Sequence, residues 1–154
     1  MPVDLMKKLG AVLGMSDSQR AENLHQTGWA HDLNNSELKI LANFMTAYEL
    51  PAGTTIFREG DPGAFMLLVI DGSAKVLKEG DDDYDHVLAE LYAGSALGEM
   101  TLIDGENRSA SVITAKTTRI LVLTSESFEN LGKRHPRIWG LVLAKIARQL
   151  SSRL

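Results

Sequence analysis

Between Tyr48 and Leu123 the chain alternates short β-prone runs with turn-forming residues, and this texture restricts the possible fold more than any other feature. The runs are Tyr48-Glu49-Leu50, Thr54-Thr55-Ile56-Phe57, Phe65–Ile70, Ala74–Lys78, Val87–Leu91, Ser111–Ala115 and Arg119–Leu123. Pro51-Ala52-Gly53, Glu59-Gly60-Asp61-Pro62-Gly63, Asp71-Gly72, the acidic stretch 80–85 and Lys116-Thr117-Thr118 separate them. Many short strands joined by hairpin turns predict a sandwich or rolled barrel rather than a βαβ sheet, with residues 79–85 as a solvated hairpin loop.

Helical periodicity flanks this region on both sides. Leu5, Met6, Leu9, Val12 and Leu13 predict an amphipathic helix from Asp4 to about Leu13. Met15 to Asn34 is polar and weakly patterned, with a helix over Ser16–His25 and breaks at Gly28 and Asn34-Asn35. Ser36 reads as the N-cap of a helix from Glu37 to about Ala47 whose apolar face is Leu38, Ile40, Leu41, Phe44 and Met45. Beyond the strands, Ser125 or Ser127 is expected to cap a turn through Phe128–Gly132, and Pro136 to open a last helix. That helix carries one stripe of Trp139, Leu143, Ile146, Leu150 and Leu154 and a second of Ile138, Leu141, Val142 and Ala147. One stripe can cover the sheet and the other calls for a partner, so a homodimer through this helix is expected. The alternative is that the N-terminal helices absorb both stripes.

Composition sets outer limits. A chain of 154 residues can bury one core. A net charge of −4 argues against a general nucleic-acid or anionic-membrane surface. There are no cysteines to form disulfides or thiolate metal sites. No apolar run approaches the roughly 20 residues of a membrane span, so a cytoplasmic protein is expected. His25, His31, His86 and His135 lack metal-ligand spacing, and Ser109 and Ser111 lack a His/Asp partner in any motif; neither a metal, a catalytic residue nor enzymatic activity is expected.

The chemistry concentrates between Gly94 and Ala115, GSALGEMTLIDGENRSASVITA. Gly98 allows close backbone approach to a ligand, and the MTLID run after Glu99 predicts one helical turn whose free N–H groups attract negative charge. Arg108 follows the turn-rich residues Asp104–Asn107, so its guanidinium can fold over the same anion. Phosphate alone would be repelled by Glu99; a ribose phosphate satisfies both charges. The other reading of the pair is a structural ion pair in a roll without a ligand. Leu97, Met100 and Leu102 read as core, although Met100, beside Glu99, is also carried into the binding set.

Gly98-Glu99 followed by Arg108-Ser109-Ala110 resembles the phosphate-binding cassette of the cyclic nucleotide-binding domain family, which includes bacterial catabolite activators and kinase regulatory subunits. The resemblance extends from about Leu38 to Leu150. Leu50–Pro62 is similar to the family's first strands, and Met66–Val76 to its central hairpin. It implies an α+β fold, a jelly-roll-like antiparallel β-roll flanked by N- and C-terminal helices, with residues 1–35 as a helical extension and 36–154 as the binding domain. It also implies that Glu99 accepts the ribose 2′-hydroxyl, that Gly98 gives backbone contact near the sugar, and that Arg108, Ser109 and the Ala110 amide hold the exocyclic phosphate. The ligand implied is cyclic AMP, with cyclic GMP as the alternative and the Ser109 hydroxyl as a possible guanine contact. A sensor signalling to an unknown effector protein through its C-terminal helices is the expected function; a ligand-free scaffold is the alternative. The activators' helix-turn-helix, the kinase subunits' second pocket and a channel pore have no counterpart before Leu154, so no nucleic-acid or membrane partner is expected.

Overall fold

The structure is a computed structural model that describes residues 11–79 and 85–153. The helix expected over Asp4–Leu13 falls mostly outside the described residues. Its last part is a correction: Ala11–Val12 form a strand, β1, which pairs antiparallel with β2, Thr46–Leu50.

Two helices lie between these strands. The first, α1 (Asp17–Gln26), begins in a capping box in which Ser16 and Gln19 exchange side-chain-to-amide hydrogen bonds. The second, α2 (Asn35–Asn43), is capped by Asn34 and not by Ser36, so the asparagine pair read as a break is a helix start. Asn34 Oδ1 accepts the Glu37 amide proton at 2.9 Å while Glu37 Oε1 accepts that of Asn34 at 3.1 Å. It also stops short of Ala47, because residues from Thr46 onward are committed to the β2 ladder.

Seven further strands follow: β3 (Thr55–Phe57), β4 (Phe65–Asp71), β5 (Ser73–Glu79), β6 (Asp85–Tyr92), β7 (Ala96–Leu97), β8 (Ser111–Thr114) and β9 (Thr118–Thr124). All seven runs expected as strands are present, and among the described residues the two-residue strands β1 and β7 are additional. They form two antiparallel sheets, one ordered β1-β2-β9-β4-β7 and the other β3-β8-β5-β6. Among the described residues no ladder joins the sheets, so the roll is an open two-layer sandwich and not a closed barrel.

Strand periodicity explains why Phe65–Ile70 of β4 and Ile120–Leu123 of β9 are apolar throughout. Phe65, Leu67 and Val69 with Ile120 and Val122 face the core between the sheets, where they meet Ile56, Phe57, Ala74 and Val112. Met66 and Leu68 with Leu121 and Leu123 face the opposite core, shared with the helices. Alternate side chains point to opposite faces, so a strand buried on both faces carries no polar alternation.

The remaining helices are α3 (Thr101–Asp104), α4 (Ser125–Arg134) and α5 (Pro136–Arg153). Thr124 caps α4, its Oγ1 accepting the Ser127 amide proton at 3.0 Å, where Ser125 or Ser127 was expected. On α5 the buried stripe is Ile138, Val142 and Ile146, with Trp139, Leu141, Leu143 and Leu150 half-buried against the same core. Ile146 joins the two expected stripes, since at 3.6 residues per turn it lies about 20° from Trp139 and about 40° from Val142 around the helix, and both stripes meet the same core. The N-terminal part of the chain bears on α5: Trp29 Nε1 donates to Gln149 Oε1 at 3.3 Å, and Arg137 pairs with Glu37 at 3.2 Å.

Candidate functional site

The site is made by the segment that leaves β7, turns through α3 and enters β8. Gly98 stands at its start with φ +79°, a conformation side-chain-bearing residues rarely adopt. A Cβ there would collide with Arg108 Nη1 and come within 3.0 Å of the Phe65 carbonyl oxygen. The close approach expected of Gly98 toward a ligand is thus first an approach to Arg108.

The turn after Glu99 forms as α3, but the amides of Thr101 to Asp104 are engaged by backbone carbonyls of the same segment. Thr101 N donates to Gly98 O at 3.2 Å, Leu102 N to Glu99 O at 3.3 Å, and Ile103 N and Asp104 N to Met100 O at 3.0 Å. Tight i→i+3 bonding uses up the donors that a longer helix would leave open at its start. Positive charge in the site comes from Arg108 instead.

Arg108 is 5 % exposed. Its guanidinium lies 4.0 Å from the ring centre of Phe57 and 4.7 Å from that of Phe65, a cation–π arrangement on two rings. Nη2 donates to the Phe65 carbonyl at 2.6 Å and Nη1 to Thr101 Oγ1 at 3.3 Å, while Thr101 Oγ1 donates to Gly98 O at 2.7 Å. Among the described residues, buried Nε has no hydrogen-bond partner. Burial pulls the Arg108 pKa down to about 10, against the opposing fields of Asp61 and Glu99. Glu99 itself is 1 % exposed.

All six expected site residues, Gly98, Glu99, Met100, Arg108, Ser109 and Ala110, line one cavity of about 360 Å³. That is within the range of small-molecule sites, about 300–1,000 Å³. Phe57, Val76, Leu97 and Val112 supply its apolar wall, and Thr101, Asp104, Glu106 and Asn107 complete it. Met100 is a correction to the core reading: it is 45 % exposed, since α3 turns it outward beside the cavity. Sequence reasoning missed Phe57, Phe65, Thr101 and Asp61, whose relation to Arg108 depends on which strands become neighbours. Among the described residues no group of three or more His, Cys, Asp or Glu side chains is placed to hold a metal ion, and no helix is long and apolar enough to cross a membrane.

Comparison with known proteins agrees with this geometry. The family model described as the cyclic nucleotide-binding domain matches residues 48–135. The chain is 31% identical over 120 residues to the cyclic AMP receptor protein of Thermus thermophilus, covering 78% of this chain and 56% of that protein. A solved cyclic nucleotide-binding domain from Methylobacillus flagellatus matches with a TM-score of 0.84 at 28% identity, covering 93% of this chain and 82% of that one. The Thermus thermophilus catabolite activator protein matches with a TM-score of 0.73 at 30% identity, covering 81% of this chain and 57% of that one. The chain spans about half, or less, of the length of the curated relatives it matches. With the family model matched over 48–135, more than half of its 154 residues, and the β-roll and cassette both in place, the chain belongs to the cyclic nucleotide-binding domain family.

Proposed function

We propose that this chain is a sensor module that binds a cyclic nucleotide, cyclic AMP first and cyclic GMP as the alternative, and signals to an effector protein through α4 and α5. The observation that carries the reading is Arg108: a buried guanidinium held on a cavity wall, with Nε left over from its protein hydrogen bonds. Burial opposes its charge, and a ligand anion offsets that penalty through charge-assisted hydrogen bonds. Glu99 then accepts the ribose 2′-hydroxyl, and Ser109 and the Ala110 amide add hydrogen bonds to the phosphate. A relative named as a cyclic AMP receptor favours cyclic AMP.

Leu102 on α3 provides the link to the output helices. It lines an apolar groove of about 370 Å³ together with Phe128 of α4 and Trp139 of α5. A ligand that moves α3 shifts this packing, and the population of α4 and α5 positions shifts with it. The reading assigns no catalytic residue and no metal. It places the module in the cytoplasm and gives it no nucleic-acid partner, since a chain of net charge −4 has little attraction for phosphate backbones.

The module self-associates as a homodimer through the half-buried Leu143 and Leu150 of α5. Light scattering of Leu143→Glu/Leu150→Glu should give a monomer; a monomeric parent chain, or a dimer that survives both substitutions, would remove this element. For the central claim, thermal unfolding is followed with each nucleotide. A ligand at one hundred times its dissociation constant adds about 2.7 kcal/mol. No shift with either nucleotide would instead favour a scaffold that binds none.

A further inference from the structure

The backbone that carries Arg108, Ser109 and Ala110 is fastened by residues that do not line the cavity. Gly60 N donates to Arg108 O at 2.8 Å, and Arg108 N donates to Asp61 O at 2.8 Å. Glu59 N donates to Ser111 Oγ at 2.9 Å. The β3–β4 loop therefore holds the segment on both sides of Ser109–Ala110. Lys78, near the end of β5, reaches the peptide between those points: its Nζ donates to the Ser109 carbonyl at 3.1 Å and pairs with Glu59 Oε1 at 2.9 Å.

A trans peptide is rigid and planar, with its C=O and N–H pointing in opposite directions. No peptide bond among the described residues is cis. Fixing the Ser109 carbonyl therefore also fixes the Ala110 N–H, and an ammonium on the oxygen polarises the peptide and strengthens the N–H as a donor. We propose that Lys78, steadied by Glu59, is a positioning residue for the anion site: it pins the Ser109–Ala110 peptide so that the Ala110 N–H meets the ligand's anionic group. Lys78 stands outside the Gly98–Ala110 motif, 31 residues before Ser109, and acts through the fold alone.

This inference rests on the cavity being an anion site, and two readouts keep the failures apart. Both side chains are accessible, Lys78 at 50% and Glu59 at 26% exposure, so substitution leaves the cores intact. In titrations with cyclic AMP, Lys78→Met should weaken binding about three- to tenfold, the weight of one ordinary hydrogen bond, and Lys78→Arg should restore it. Glu59→Gln decides between positioning and simple attraction. Removing a carboxylate near an anion site strengthens binding if charge alone matters; positioning requires that it weaken binding by about twofold or more. Full affinity in Lys78→Met, or a gain in Glu59→Gln, overturns the proposal. Should the parent chain bind neither cyclic AMP nor cyclic GMP, the ligand reading fails, but the clamp is still tested in the ligand-free protein by nuclear magnetic resonance. Lys78→Met should shift the Ser109 carbonyl carbon and the Ala110 amide nitrogen, and unchanged resonances overturn the clamp.

Discussion

Strand β4 and the segment from Gly98 to Ala110 touch through the 2.6 Å hydrogen bond between Arg108 Nη2 and the Phe65 carbonyl, yet they are built on opposite terms. In β4 the buried side chains from Phe65 to Val69 are all apolar and divide between two cores. The Gly98–Ala110 segment buries Glu99 and Arg108, groups that burial disfavours as ions. Apolar burial therefore concentrates in the sheet, while the proposed binding residues lie in a segment that buries charge. The apolar strand also supplies what the charged segment lacks, a carbonyl and two rings on which to hold the guanidinium.

The contrast can be broken most forcefully in the strand. Leu67 is fully buried between the sheets, and Leu67→Ala should cost about 2–5 kcal/mol in urea unfolding through lost transfer energy and the cavity left behind. A loss near zero would mean that the sheet does not carry the stability assigned to it.

Arg108→Ala should act mainly on the ligand. Cyclic AMP affinity falls at least tenfold, about 1.5–3 kcal/mol for a charged hydrogen-bond donor, while the unfolding midpoint moves less than in Leu67→Ala, because removing a desolvated charge is offset by the Phe65 carbonyl and Glu99 that lose it. Calorimetric titration that leaves affinity unchanged would sink the site assignment. The pH dependence follows from the depressed pKa. Binding needs protonated Arg108, so affinity should stay level through neutral pH and fall as pH rises through about 10. For stability the sign is opposite. Between the folded value and the higher arginine value of the unfolded chain, the unfolded state holds more protons, so this group's contribution to stability rises with pH. Comparing the parent chain with Arg108→Ala isolates that contribution, and its absence would argue that Arg108 is not desolvated.

A smaller effect is expected at Glu99. Glu99→Gln keeps an acceptor but loses charge, and should weaken cyclic AMP by about 1 kcal/mol while leaving the poorer 2′-deoxy analogue nearly unchanged. Equal losses for both ligands would take Glu99 away from the ribose and return it to a structural role beside Arg108.

Sequence alone determined the order of elements, apart from the short strands β1 and β7, and marked the segment that lines the candidate cavity. Strand texture between Tyr48 and Leu123, punctuated by glycine and proline, and helical periodicity on either side are signals written over a few adjacent residues. The six candidate residues were legible for the same reason, all falling within Gly98–Ala110, and they line one cavity. Tertiary structure decided whatever depends on distant partners. Asn34 and Thr124 took the cap positions over nearby serines; their bonds span only three residues, but the strands and helices on either side set where each helix starts. The two α5 stripes merged on one core once the helices closed over the sheet. Arg108 meets the Phe65 carbonyl across 43 positions of sequence, and only the pairing of β4 with β7 and β9 brings that carbonyl within its reach. A motif can specify which charge a site will use, but the dielectric and the donors left over for a ligand come from the strands that fold against it.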